Sequence, residues 1–292
     1  MASCSARRRR GSGKHLAMLA IFGLAGCGAV PGGVAAGSSP PAAAAADLRF
    51  ADLADLALPA PVVADIRIVD ARALEPERAP GVAAGRVRVY VEAELLALIR
   101  GARGAAATLR FLVDVPADAG GRPPRLEKGR FLVFGSVEPA RPGELRLVAP
   151  DAMIAWTAEG DAAVRAIAQA AVDGSAPPAV TGIASAFHVP GTILGESETQ
   201  VFLATAAGTP VSVSVVRRPG QAPRWGAAFG EVVDEAAGRP APDTLGWYRL
   251  ACAGLPMTLP AAKVEGGDPA AAAADWALVR RDLGDCPRAR GR

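Results

Sequence analysis

Three groups of side chains in this chain have the types that chemistry needs. The first is Ser185 with His188, in Ser185-Ala186-Phe187-His188-Val189-Pro190, ahead of a glycine-containing loop that carries Glu196 and Glu198. A hydroxyl nucleophile, an imidazole base and an orienting carboxylate would serve a covalent hydrolase. On an extended chain, however, an odd separation sends Ser185 and His188 to opposite faces. No serine stands in a GxSxG elbow either. The second group is acidic: Glu196 with Glu198, and Glu231 with Asp234 and Glu235. Paired carboxylates can run glycoside hydrolysis. Glu196 and Glu198 would lie about 7 Å apart on one face of a strand, a spacing that equally suits a solvated strand start. The third group is the cysteines, Cys4, Cys27, Cys252 and Cys286. They show no CxxC spacing, and one pair is too few for a closed zinc site. No P-loop, GxGxxG before a helix, HExxH or EF-hand loop occurs. The expectation is a protein with no catalytic residue, no cofactor and no metal, in which His188 is a strand-end histidine making ordinary hydrogen bonds.

The elements that would position these groups are mostly strands. In 86–92 and 108–115, valine, leucine and phenylalanine alternate with arginine, tyrosine, glutamate, threonine and aspartate. Period two marks a half-buried sheet. Runs at 62–69, 131–137 and 145–149 complete five strands, and Pro80-Gly81, Gly120-Gly121, Pro123-Pro124 and Pro142-Gly143 punctuate them. A helix is predicted over 161–172, with Val164, Ile167, Ala168, Ala171 and Val172 on one face and Gly174 as its end. Residues 175–178, Ser-Ala-Pro-Pro, form the best boundary. Strands at 201–204, 211–216 and 225–233 then predict an antiparallel meander, with Arg217 and Arg218 as solvated charges at a turn. Asp243 is expected to cap a helix through Leu245, Tyr248 and Cys252. Asp268-Pro269 starts a last helix carrying Trp276, Val279 and Leu283, which Gly284 ends. The four tryptophans, Trp156, Trp225, Trp247 and Trp276, read as core fillers rather than a ligand platform. The predicted class is mainly β (α+β): two antiparallel β modules, the first a five-stranded barrel or sandwich, with a connecting helix and a C-terminal helical pair.

Residues 128–134, Lys-Gly-Arg-Phe-Leu-Val-Phe, following the strand at 109–115, resemble the strand sequence of an OB-type barrel, in particular its netrin-like variant. That resemblance covers 60–150 and implies an oligosaccharide or small-ligand binding face. Phe111, Phe131 and Phe134 decide whether such a face exists: exposed they could stack on a ligand, turned inward they could not.

The N-terminus carries an address. Arg7 to Arg10 and Lys14 precede an apolar stretch at 16–24, which is short of the roughly 18 residues of a membrane span. It ends in Leu24-Ala25-Gly26-Cys27, which resembles the lipobox of bacterial lipoproteins at all four positions. The resemblance implies cleavage before Cys27, a diacylglycerol on its sulfur, and a protein held in the bacterial cell envelope facing the periplasm. Gly28 after the cysteine resembles signals sorted to the outer rather than the inner membrane. The organisation is then a signal peptide at 1–26, lipidated cysteine and flexible tether at 27–59, a β domain with its helix at 60–174, and a meander with C-terminal helices at 179–292.

Processing changes the charge. Residues 1–26 hold five of the 32 basic residues and none of the 29 acidic ones, so the remainder carries 27 basic against 29 acidic residues, net −2. That argues against nucleic acid as a partner, which needs a clustered positive face. Arg288, Arg290 and Arg292 are expected to be a solvated basic tail. With Cys4 removed and Cys27 acylated, Cys252 and Cys286 remain as one pair in an oxidising compartment, and a disulfide is expected. The partners expected are the membrane, through the lipid at Cys27, and an envelope protein or polysaccharide. The function expected first is an interaction or structural role without catalysis. The rivals are an envelope polymer hydrolase built on Glu196, Glu198 and His188, and a binder using the OB-like face.

Overall fold

A computed structural model of the chain describes residues 48–101, 106–230 and 237–290. Cys27, the expected signal and most of the expected tether lie outside the described residues, as do Glu231, Asp234 and Glu235. The described residues fall in one compact unit that is mainly β, with eleven strands in two sheets and four α-helices.

The first sheet contains β1 (Val62–Ala73), β2 (Arg86–Arg100), β3 (Thr108–Pro116), β4 (Arg130–Val137), β5 (Leu145–Leu147) and β6 (Met153–Ala155). Its order is β3-β2-β1-β4-β5, and β6 pairs with the first half of β4 while β5 pairs with the second. Register shifts along β1 and β2 bend the long central strands. The sheet curls until Arg110 N–H donates to Gly143 O at 2.8 Å, a parallel bridge that brings β3 beside the start of β5. The module is thus a rolled sheet of six strands, not five. The strand at 153–155 is too short to show alternation.

Alternation decides what faces what. Ala64, Ile66, Ile68, Val89, Val91, Leu109, Phe111, Val113 and Val133 fill the inside of the roll. Val63, Leu132 and Phe134 point the other way, under α1 (Phe50–Ala57) and α2 (Ala158–Asp173). Val164, Ile167 and Ala168 of α2 are buried, whereas Val172 is exposed. Beneath α2, the buried Asp65 accepts from Arg130 Nε at 2.9 Å and Nη2 at 2.6 Å, and that guanidinium stacks on Trp156 at 3.7 Å.

Helix α1 corrects the expectation that 27–59 is tether. Eight residues rarely hold a helix in water alone, so its short apolar pattern carries little weight in sequence. Its partners lie far along the chain. Asp52 accepts from Arg49 N–H at its own N-terminus, and from Ala289 N–H (2.9 Å) and Arg290 N–H (3.1 Å). Asp55 accepts from the Tyr248 hydroxyl at 2.6 Å and from Arg288 Nε at 2.5 Å. Arg288 and Arg290 are therefore paired groups that clasp α1, not a solvated tail. Phe50 packs on both the α1–α2 core and the core of the second sheet, so the expected boundary at 175–178 is a junction within one unit.

The second sheet has the order β10-β9-β8-β7-β11. Strands β7 (Val180–Pro190), β8 (Ser197–Thr205), β9 (Val211–Arg217) and β10 (Arg224–Ala228) form the expected meander, and β11 (Val264–Gly266) adds a parallel edge beside β7. One face is covered by α3 (Leu245–Ala251) and α4 (Pro269–Leu283), whose Trp247, Leu250, Trp276 and Val279 meet Ala186, Val201, Val213 and Val215. Thr244, not Asp243, caps α3, accepting from Trp247 N–H at 3.3 Å. Asp268 caps α4, accepting from Ala270 N–H at 2.8 Å. Cys252, at the end of α3, and Cys286, just past α4, are joined by a disulfide with their Cα atoms 5.2 Å apart. This bond fixes the start of the tail that reaches α1. Among the described residues no helix is long and apolar enough to cross a membrane.

The clasp has a pH signature. Burial alone would raise the Asp55 carboxyl, but hydrogen bonds from Arg288 and Tyr248 outweigh it and hold the group below the usual carboxylate value. Its contribution is present above about pH 4 and is lost as pH falls through the lowered value. Burial, then the Asp55 carboxylate, push the Tyr248 phenol up to about 12. Its contribution is present below about pH 10 and is lost as pH rises from there to about 12. Denaturant midpoints measured across pH should fall at both ends. In Tyr248→Phe the alkaline fall should flatten; an unchanged alkaline limb would contradict the assignment.

Candidate functional site

A groove of about 1150 Å³ lies beside the rolled sheet. One wall is the end of β3, where Val113 and Val115 precede Pro116. The floor is Phe131 of β4 with Met153 and Ile154 of β6. Phe50 and Leu53 of α1 face Ala163 of α2 across the opening. Each element contributes here because its chain ends or bends at this point. Prolines 116, 123 and 124 restrict the β3–β4 connection. Asp118 closes its turn, accepting from Gly120 N–H at 2.8 Å and Arg122 N–H at 2.9 Å. The Arg122 amide, the Gly120 amide and the Arg122 charge hold that carboxyl below its ordinary value. The volume is at or above the roughly 300–1,000 Å³ of most small-molecule sites.

Several charged groups on the groove are held in ion pairs. Asp114 takes a bidentate pair from Arg88, at 2.7 Å from Nε and 2.9 Å from Nη2. Arg86 donates to the Asp114 carbonyl at 2.8 Å and lies 3.6 Å from Asp151. Asp151 accepts from Arg290 Nη2 at 2.6 Å. One side of the rim is therefore a run of charge pairs beside apolar walls, and its last member is supplied by the tail that clasps α1. No serine, cysteine or histidine is found among the described residues that line the groove. The arrangement can enclose and orient an apolar group.

The residues singled out in sequence lie elsewhere. His188 is buried on β7 opposite Thr199 of β8. Its Nδ1 is 2.9 Å from Thr199 Oγ1, which donates to Asp275 Oδ2 of α4 at 2.5 Å, while Arg217 Nε donates to Asp275 Oδ1 at 2.6 Å. A threonine hydroxyl has one proton. Because Asp275 takes it, Thr199 must accept from His188, so the imidazole carries hydrogen on Nδ1. Arg217 is thus the partner of a fully buried carboxylate, not a solvated charge. Ser185 is on the opposite face of β7 from His188, as its spacing requires. Glu198 pairs with Val189, also on that opposite face, and accepts from Gln200 at 2.9 Å; Glu196 precedes β8 in the loop. The geometry does not bring Ser185, His188, Glu196 and Glu198 together. Of the three phenylalanines expected to decide the OB-like face, Phe111 and Phe134 are buried and Phe131 reaches the groove. Trp225, Trp247 and Trp276 are core residues. Among the described residues no cluster of three or more potential metal ligands occurs.

No protein-family model matches the chain, and no curated protein matches it.

The His188–Thr199–Asp275 chain ties α4 to the sheet. Thr199→Val keeps the shape but removes both hydrogen bonds, leaving two polar groups buried without their partner. Such losses cost about 1–3 kcal/mol for each group, so the denaturant midpoint should drop well beyond that of Ser185→Ala, whose side chain faces away. Equal, small effects of the two substitutions would remove the structural role assigned to the network.

Proposed function

We propose that this chain is a lipid-anchored protein of the bacterial cell envelope, held by acylated Cys27 and facing the periplasm, with a binding rather than a catalytic role. The address is supported by the four matching lipobox positions. The Cys252–Cys286 disulfide supports it independently, because such bonds persist in oxidising compartments. The sorting inference from Gly28 favours the outer membrane.

The observation that carries the binding role is the groove of about 1150 Å³, with its apolar walls and charged rim. Its ligand is an amphipathic small molecule whose apolar part sits among Phe50, Leu53, Val113, Phe131 and Met153. The sheet order, with β3 returning beside β5, supports the OB-type resemblance. The burial of Phe111 and Phe134 turns the expectation from sugar stacking to an apolar ligand.

Two experiments test this reading. Cys27→Ala should leave an unlipidated precursor of altered gel mobility that no longer fractionates with membranes. Unchanged processing and fractionation would end the lipoprotein proposal. For the groove, Ala163→Phe should fill part of the space and weaken 1-anilinonaphthalene-8-sulfonate binding at least tenfold with little change in stability. Unaltered affinity would place the probe, and the site, elsewhere.

A further inference from the structure

The loop between β7 and β8 is built to hold apolar side chains in water. Gly191 N–H donates to Glu196 O at 2.7 Å, and Glu196 N–H donates to Ile193 O at 3.0 Å. Gly195 has φ +86° at the third position of that inner turn, as a type II turn requires. Leu194 is then the apex residue, and it is 97% exposed; Ile193 beside it is 60% exposed. Behind them, Val189 and Phe187 are exposed on the open face of β7. The β9–β10 turn abuts the loop: a Cβ on Gly195 would lie 3.8 Å from Pro219. That turn carries the exposed Arg218. One end of the second sheet therefore presents a convex apolar tip with a cation beside it, exposed among the described residues.

We propose that this tip dips into the lipid bilayer that holds Cys27, giving the protein a second, non-covalent membrane contact that orients its folded part. The inference rests on the lipoprotein reading. Tether length makes the bilayer the occupant. About 20 residues separate Cys27 from Leu48; extended, they reach roughly 70 Å. The eleven residues of β7 span about 36 Å, so a tip-down pose lies within the tether's reach. The tip's shape argues the same way. A stable protein interface buries about 800 Å² on each partner. Four side chains on a convex turn offer much less, whereas a soft interfacial layer can envelop them, with Arg218 at the level of the lipid phosphates.

The test uses the full-length lipidated protein in phosphatidylethanolamine/phosphatidylglycerol vesicles. Leu194→Cys supplies a free thiol for an environment-sensitive fluorophore, since Cys252 and Cys286 are disulfide-bonded. Its emission should shift to the blue and be quenched by spin-labelled lipid, while a label at Glu77→Cys, on the first module, should stay as in water. A label at 194 that behaves like the one at 77, or that shifts through self-association without vesicles, overturns the proposal. A chain of residues 28–292, made without the signal and its cysteine, separates this from the anchor. Ile193→Asp/Leu194→Asp in that background should lower vesicle partitioning at least tenfold with an unchanged melting midpoint. Equal partitioning overturns the hairpin contact even where Cys27 proves to be acylated. Loss of the Cys27 mobility shift overturns the anchor instead.

Discussion

The carboxylates of Asp52 and Asp55, on a helix only eight residues long, hold the two ends of the fold together. Asp52 caps its own helix and receives two backbone N–H groups of the C-terminal tail; Asp55 receives Tyr248 of α3 and Arg288. Each is a charge-assisted hydrogen bond in a partly buried setting, stronger than a neutral one. Three consequences follow. The short helix stays formed although its own propensity is insufficient. The tail, fixed at Cys286 by the disulfide, is carried to Asp151, where Arg290 completes the rim of the groove. The first and second sheets become one unit rather than two domains on a hinge.

Similar ties recur inside both modules. Asp65 and Arg130 lie under α2, and Asp275, Thr199, His188 and Arg217 lie under α4. The first pair joins the neighbouring strands β1 and β4, whereas Asp275 gives α4, which lies on its sheet by non-directional apolar contact, polar partners on β8 and β9 that admit one arrangement. Breaking such a pair leaves an uncompensated buried group, and that cost far exceeds the net gain of forming it. These contacts specify position more than they add stability. The wall of the groove inherits that specificity.

Much of the architecture was legible. Strands β2 and β3 alternate because one face of each is buried, and α4 is framed by Asp268-Pro269 and Gly284, which act locally. Cys252 and Cys286 were paired in sequence because the lipobox resemblance assigned Cys4 and Cys27 other fates, and the disulfide joins them. What escaped depends on residues distant in sequence. Helix α1 needs Arg288 to Arg290, more than two hundred positions away. Strands β6 and β11, of three residues each, exist only through their neighbours. The solvated roles expected for Arg217, Arg288 and Arg290 were wrong because their carboxylates lie on other elements. The groove escaped for the same reason. Its walls come from two helices, three strands and a loop, none carrying a motif, whereas the residues that looked chemical, His188 and Glu198, point to opposite faces of one sheet.

In the proposed function, the clasp on α1 shapes the groove that takes up the apolar ligand. Titration of 1-anilinonaphthalene-8-sulfonate into the Asp52→Ala protein tests it most directly, under conditions where the second sheet stays folded as judged by near-ultraviolet circular dichroism. Release of α1 and the tail should weaken binding at least tenfold. Affinity equal to that of the unaltered protein would show that the groove does not depend on the clasp, and would contradict the account.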